Sequence, residues 1–202
     1  MKTQIVNAIK GGEVVILPLE HSYVYLCDAF SHDAVHTMHV MRGDEVGIAA
    51  QVLISDAARA VGIIRDSNED LKKLTNSFWP GLLSVTAKPQ LALNWDLGDE
   101  RNLDLINVRV PAAQFARAIA AEVGPLATAS ATLAGQPAIN SIDYISNDGI
   151  HLALIFDGGT LPKGQPTTIV ETSESGLKVR RIGAISQAQL AEVTPEISLI
   201  GK

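Results

Sequence analysis

The 202-residue sequence predicts a single α/β domain built on a twisted, mixed sheet. Three observations lead there. Short apolar runs of strand length recur along the chain, amphipathic segments of helical period separate many of them, and strands and helices do not alternate strictly enough for an all-parallel sheet. The composition, 47% hydrophobic and 19% charged, is that of a globular protein, and the length suits one unit over 1–202 with a substantial core.

Residues 4–10 read as a short helix closed by Gly11 and Gly12, and 13–17 form an apolar run of strand length ended by Pro18. Ser31 caps a helix over 32–41, which Gly43 stops. A strand fits 50–54, helical stretches follow around 56–61 and 69–77, and 82–87 is again a strand. Residues 103–110 alternate as a further strand halted by Pro111, and 112–123 form the clearest amphipathic helix. Four more strands are expected at 126–129, 152–156, 168–171 and 177–181, with a helix near 141–146. The polar stretch 94–102 reads as a surface loop. No internal repeat, low-complexity tract or linker interrupts the chain.

Several function classes are excluded. Cys27 is the only cysteine, so no internal disulfide or thiolate zinc cage can form, and it is expected to be a small core residue. The net charge of −6 disfavours tight sequence-independent binding to nucleic acid, which depends on lysine and arginine displacing counterions. No apolar run reaches the ~18 residues of a membrane span, and the start leads into an amphipathic segment rather than a signal peptide. A soluble, cytoplasmic protein with no membrane partner is the expectation. Gly159 to Gly164 continues with Gln165 and Pro166, where a P-loop needs lysine and then serine or threonine. Neither a dinucleotide-fold glycine turn nor a Gly-x-Ser-x-Gly elbow occurs. His32, His36 and His39 fall at i, i+4 and i+7, but no Glu completes a His-Glu-x-x-His metal motif, so they read as a solvated helix face and no metal ligands are assigned.

Five separated stretches resemble one family. They are Gly11-Gly12 through Pro18-Leu19-Glu20-His21-Ser22-Tyr23 to Cys27-Asp28-Ala29-Phe30; Trp79-Pro80-Gly81; Val108-Arg109-Val110-Pro111; Pro125 to Pro137; and Asp157-Gly158-Gly159 with Thr167-Thr168-Ile169-Val170-Glu171 and Arg181-Ile182-Gly183-Ala184-Ile185. The first is similar to a Pro-Thr-(Asp/Glu)-Thr-x-Tyr motif, the fourth to Ser-Ala-Asn-x-Ser-Gly-x-Pro, and the last to Ser-Thr-Ile-Val-Asp and Arg-x-Gly-Ala-Ile. In order and spacing over 11–185 they resemble the YrdC, Sua5 and YciO proteins. That resemblance implies a YrdC-like α/β-twist fold around a concave, positively charged cavity. Fully active members are L-threonylcarbamoyladenylate synthases: L-threonine, bicarbonate and ATP give threonylcarbamoyl-AMP and pyrophosphate, and the product feeds N6-threonylcarbamoylation of adenosine 37 in tRNA. The implied partners are a nucleotide, a small amino acid and, indirectly, the tRNA pathway. ATP is a substrate, and Mg²⁺ could share the phosphate charge.

The resemblance also assigns residues. Arg42, Ser130 and Thr132 fall on catalytic positions, and Tyr23, Arg109, Thr167 and Arg181 on ATP- or substrate-binding ones. The family's Lys-x-Arg pair aligns with Arg42-Gly43-Asp44, so Asp44 reverses the second cation, Glu45 follows, and Ile48 stands near where a further basic residue is common. At ~4 Å and an effective dielectric of ~20, an attraction of roughly 4 kcal/mol for a phosphate charge would turn into repulsion. Thr132 replaces an asparagine and retains one hydroxyl. Leu19 and His21 replace two threonines. Structural alternatives stand beside these roles. Arg109 could pair with Asp104 or Glu122, Trp79-Pro80-Gly81 suits packing, Gly158-Gly159 suits a turn, and the Tyr23 ring could belong to the core while its hydroxyl reaches the cavity.

Three functional outcomes follow. An active synthase predicts Arg42, Ser130, Arg109 and Arg181 converging on a deep pocket. A catalytically inactive or repurposed nucleotide- or RNA-binding paralogue predicts Asp44 and Glu45 facing that pocket. A structural or regulatory partner protein predicts a large exposed apolar patch instead.

Overall fold

A computed structural model describes residues 1–65, 67–145, 154–174 and 176–199. The chain opens with helix α1 (Lys2–Lys10), whose Ile5, Val6, Ala8 and Ile9 form the buried face. Gly12, at φ +84°, turns the chain into strand β1 (Val15–Pro18), which pairs antiparallel with β2 (Tyr23–Asp28) from Val15 opposite Leu26 to Pro18 opposite Tyr23. Strand β2 is absent from the sequence-based expectations. Its first five residues are all buried, so it lacks the polar alternation that marks a half-exposed strand.

Helix α2 (His32–Arg42) is capped by Ser31, whose hydroxyl accepts from Ala34 N, and ends at Gly43 in the left-handed region at φ +63°. Strand β3 (Gln51–Leu53) is shorter than expected, and the helical stretch expected at 56–61 is a 3-10 segment (Ala57–Gly62) capped by Asp56. Helix α3 (Glu69–Phe78), capped by Asn68, leads to β4 (Leu83–Ala87). Strand β5 (Ile106–Arg109) begins later than its alternation suggests, because Glu100, Arg101 and Leu103 adopt positive φ in a preceding turn. Then come α4 (Gln114–Val123) and β6 (Leu126–Ser130). Only a 3-10 turn (Ile142–Tyr144) stands where a helix was expected at 141–146, and Ser146 lies outside the described residues. Of the strand expected at 152–156, β7 (Leu154–Ile155) is described and 152–153 fall outside. Strands β8 (Thr168–Ser173) and β9 (Gly176–Arg181), helix α5 (Gln187–Val193) with its Ser186–Gln189 capping box, and β10 (Ser198–Leu199) complete the chain.

Among the described residues the strands form one mixed sheet in the order β10-β9-β8-β4-β5-β3-β6-β2-β1-β7. The pairs β1/β7, β3/β5, β4/β8 and β9/β10 are parallel and the others antiparallel. Side chains alternate across it with period two, which builds two cores. Ile16, Tyr25, Cys27, Val52, Val85, Val108 and Ala127 point into one with α2, α3 and α5. Val15, Leu17, Leu26, Leu53 and Leu126 point into the other with α1 and α4.

That alternation also creates the site. Following the second face along its strands, Leu53 gives way to Gln51, and Leu126 to Thr128 and Ser130, while β5 presents Asn107 and Arg109. Helices α1 and α4 cover the leucine portion, and the polar portion remains as the wall of a cavity. No helix among the described residues is long and apolar enough to cross a membrane.

Candidate functional site

The cavity encloses about 790 Å³, within the size range of small-molecule and cofactor sites. Its back wall is a polar ladder across three strands. Gln51 Nε2 donates to Ser84 Oγ at 2.9 Å and to Asn107 Oδ1 at 2.5 Å, and Asn107 Nδ2 donates to Thr86 Oγ1 at 3.1 Å. Leu19, Val24, Leu82 and Ile169 add apolar lining.

Among the described residues three cations line it, Arg109, Lys163 and Arg181, against a single carboxylate, Glu20. Arg109 is 4% exposed; its Nε donates to Gly81 O at 2.8 Å and its guanidinium forms an ion pair with Glu20 at 2.5 Å. Glu20 also accepts from the backbone N–H groups of Ala112 and Ala113 at the start of α4. Arg109 therefore has a carboxylate partner, but neither Asp104 nor Glu122 supplies it, and Glu122 pairs with Lys2. Arg181 extends from the end of β9 and donates to Thr167 O at 3.1 Å and to Thr167 Oγ1 at 2.9 Å. Burial pulls the Arg181 guanidinium pKa down from its ordinary value. Gly183 makes this corner possible, since a Cβ there would overlap the carbonyls of Pro166 and Thr167.

Of the four residues expected to converge, Ser130, Arg109 and Arg181 line one cavity, and Thr167 lines it with them. Arg42 does not join them. It lies outside the lining, 15% exposed, with Nε donating to Asp44 Oδ2 at 2.8 Å and a terminal nitrogen donating to the carbonyls of Ser130 and, at 3.0 Å, Thr132. Asp44 does not face the cavity either. Its side chain is 6% exposed and accepts from Arg42 and, at 2.9 Å, from His39 Nδ1. Burial opposes ionisation of Asp44, but the hydrogen bonds and charges of Arg42 and His39 outweigh it and hold the carboxyl below the usual range. Glu45 is exposed and outside the lining. The expected repulsion of a triphosphate by these acids does not arise, because the tight turn at Gly43 folds Asp44 back onto its own helix.

Other expectations are also corrected. The three histidines do not form a solvated face. His36 is exposed, but His39 is 9% exposed and bonds Leu97 O at 2.8 Å, and His32 contacts Asn94 O and Arg101. The segment 94–102 is irregular but anchored, with Trp95 and Leu97 fully buried. Tyr23 lies outside the lining; its hydroxyl donates to Gly159 O at 2.7 Å and accepts from Gly158 N at 2.9 Å, which pins that turn. Burial raises the Tyr23 pKa. Thr132 is likewise outside the lining, its hydroxyl buried without a hydrogen-bond partner. Trp79, by contrast, packs as the sequence suggested: it is buried and donates through Nε1 to Leu83 O at 2.7 Å.

Sequence reasoning assigned no role to Lys163, Gln51, Asn107 or Gln165, all of which line the cavity. Gln51 and Asn107 carried a usable signal: polar residues at the inward position of strands whose neighbours are buried. His21 lines it too, its Nδ1 3.2 Å from Pro162 O.

Comparison with known proteins addresses the family and the fold. The Sua5/YciO/YrdC family model, described as "Telomere recombination", matches residues 7–183. The chain belongs to this family. A Mycobacterium leprae protein provisionally named threonylcarbamoyl-AMP synthase is 32% identical over 93% of this chain and 85% of its own length. The Bacillus subtilis threonylcarbamoyl-AMP synthase is 28% identical over 94% of this chain, which spans 55% of that enzyme. The Pyrococcus abyssi Sua5 structure complexed with L-threonine superposes with a TM-score of 0.86 at 23% identity, over 98% of this chain and 58% of that one. Escherichia coli YciO superposes at 0.77, with 22% identity over 90% of this chain and 88% of YciO. The YrdC-like fold follows from these superpositions.

Proposed function

We propose that this Sua5/YciO/YrdC-family chain is an L-threonylcarbamoyladenylate synthase-type enzyme, acting in the cytoplasm with ATP, bicarbonate and L-threonine as substrates. The observation that carries the reading is the cationic cavity itself: Arg181, Lys163 and Arg109 line one space with the Ser130 and Thr167 hydroxyls, while Asp44 is withdrawn from it. Phosphoryl chemistry of this kind needs positioning and charge stabilisation, which fixed cations and hydroxyls in a cleft supply. In this reading a carboxylate of N-carboxylated threonine attacks the α-phosphorus, the bond to the β-phosphate oxygen breaks, and pyrophosphate leaves toward Lys163 and Arg181. Arg109 and Glu20 shape the wall, and Arg42 holds the Ser130–Thr132 backbone from behind.

The lining does not fit a protein-held Mg²⁺. Glu20, its single carboxylate, is engaged by Arg109 and two amides, and no metal-binding group of His, Cys, Asp and Glu occurs among the described residues. Any Mg²⁺ would enter on the triphosphate. The product would then pass to tRNA-modifying partners, since the net charge of −6 disfavours tight direct binding of RNA.

A second reading has one observation in its favour: the full engagement of Arg42 leaves the cavity without the cations expected from Lys-x-Arg, as in a nucleotide-binding paralogue without synthase chemistry. Calorimetric titration with Mg-ATP, alone and with saturating L-threonine and bicarbonate, combined with pyrophosphate release, separates the two. Micromolar ATP binding strengthened by threonine, with pyrophosphate and threonylcarbamoyl-AMP formed, supports the synthase. ATP binding without pyrophosphate supports the paralogue, and no ATP binding overturns both.

A further inference from the structure

We propose that His21 is the general base of this cavity, taking the proton that carboxylation of the substrate amine releases. The inference rests on the synthase reading, and it concerns a residue where the chain departs from the threonine of the family motif.

Proton accounting sets the need. When an ammonium group and bicarbonate combine to a carbamate, the new N–C bond forms and one bicarbonate oxygen leaves as water. The ammonium loses two protons; one departs with that water and the other requires an acceptor. Among the described residues the titratable groups lining the cavity are Glu20, His21, Arg109, Lys163 and Arg181. Arginine and lysine in cationic form are donors only. Glu20 is committed to the Arg109 ion pair and to the Ala112 and Ala113 amides. His21 is the remaining base.

The structure orients it for that task. Pro162 O can only accept, so the Nδ1 that meets it at 3.2 Å carries the hydrogen, and in the neutral ring the lone pair then sits on Nε2. Gly164 lies flat against the ring, and any Cβ there would overlap the imidazole, which fixes the plane of the side chain. The charged groups that line the cavity with His21 are Lys163, next to Pro162 in sequence, Glu20 from its own segment, and Arg109 and Arg181. His21 is half-buried, so a proton taken at Nε2 can pass on to solvent.

Two variants of the full chain test this. His21→Asn keeps a donor toward Pro162 O and deletes Nε2; His21→Thr restores the family side chain. Both are expected to lower kcat for threonylcarbamoyl-AMP formation by ~10²-fold or more, the range of a lost general base, and to abolish the acidic limb of the pH profile while KM for ATP stays within about twofold. An Asn variant with wild-type kcat and pH profile overturns the inference. Carbethoxylation by diethylpyrocarbonate gives a readout independent of turnover. Modification of His21 that ATP blocks places Nε2 at the nucleotide site; with an inactive wild type, that result would sink the synthase reading while leaving His21 in the cavity. Modification insensitive to ATP overturns the inference in either case.

Discussion

Arg42 donates through Nε to Asp44 Oδ2 at 2.8 Å, so the residue that looks like a charge reversal in the sequence neutralises its neighbour instead of facing a ligand. His39 adds a second contact to the same oxygen, and Arg42 carries the link on to the carbonyls of Ser130 and Thr132. The end of α2 is thereby tied to the strand end that forms one cavity wall.

Asp44→Arg restores a cation by sequence but places it against Arg42 and His39. It is expected to destabilise the fold by about 3 kcal/mol, the cost of breaking a buried pair, and to leave ATP affinity no better than wild type. Chemical denaturation with calorimetry checks both; tighter ATP binding at unchanged stability would refute the lock.

The same pair gives a pH dependence. The Asp44 carboxyl is held below its ordinary value, so its contribution to stability is fully present above the unfolded carboxylate pKa near ~4 and is lost as pH falls through the lowered native value. Asp44→Asn should lose stability at neutral pH and show a shallower acid-side decline than wild type. Parallel unfolding curves from neutral pH down through the unfolded carboxylate value near ~4 and well below it measure the difference.

Arg181 and Arg109 line one cavity but should respond differently. Arg181 is partly exposed and bonds only Thr167 among the contacts described. Arg181→Ala is expected to weaken ATP binding about tenfold or more, as for a lost charge-assisted hydrogen bond, with little change in melting temperature. Arg109→Ala should instead unfold the protein more easily, by about 3 kcal/mol, because it strands the Glu20 carboxylate; Arg109→Lys should not rescue it, since lysine cannot reach Gly81 O and Glu20 with one planar fork. Melting curves beside ATP titrations distinguish the two arginines.

Cys27 is fully buried in β2, and burial pushes its thiol up to about 12. The thiolate is the reactive form, so the native protein should resist a disulfide exchange reagent at mildly alkaline pH and react in denaturant. Rapid native labelling would place Cys27 at the surface.

Much of this protein was legible in the sequence because its determinants are local. Ser31 and Gly43 bracket α2 through a cap and a left-handed turn, and the apolar periods of 112–123 and 82–87 mark α4 and β4. The family motifs located Ser130, Arg109, Thr167 and Arg181, which do meet in the cavity. Strand β2 escaped because complete burial erases alternation, and 56–61 was overread because a 3-10 segment shares helical composition.

What the sequence determined by itself is the α/β class, the family, and some of the polar residues that line the cavity, all encoded in short-range pattern and motif order. Which of those residues face the cavity was decided only by tertiary structure. Asp44 turns back on His39, Tyr23 pins a turn across the sheet, Glu20 takes Arg109, and Pro162 and Gly164 set the His21 ring. Each of those pairings except Asp44 with His39 joins positions about 90 or more residues apart in the chain. A side chain's charge is written in the sequence, but its partner depends on how the sheet and its turns bring distant segments together.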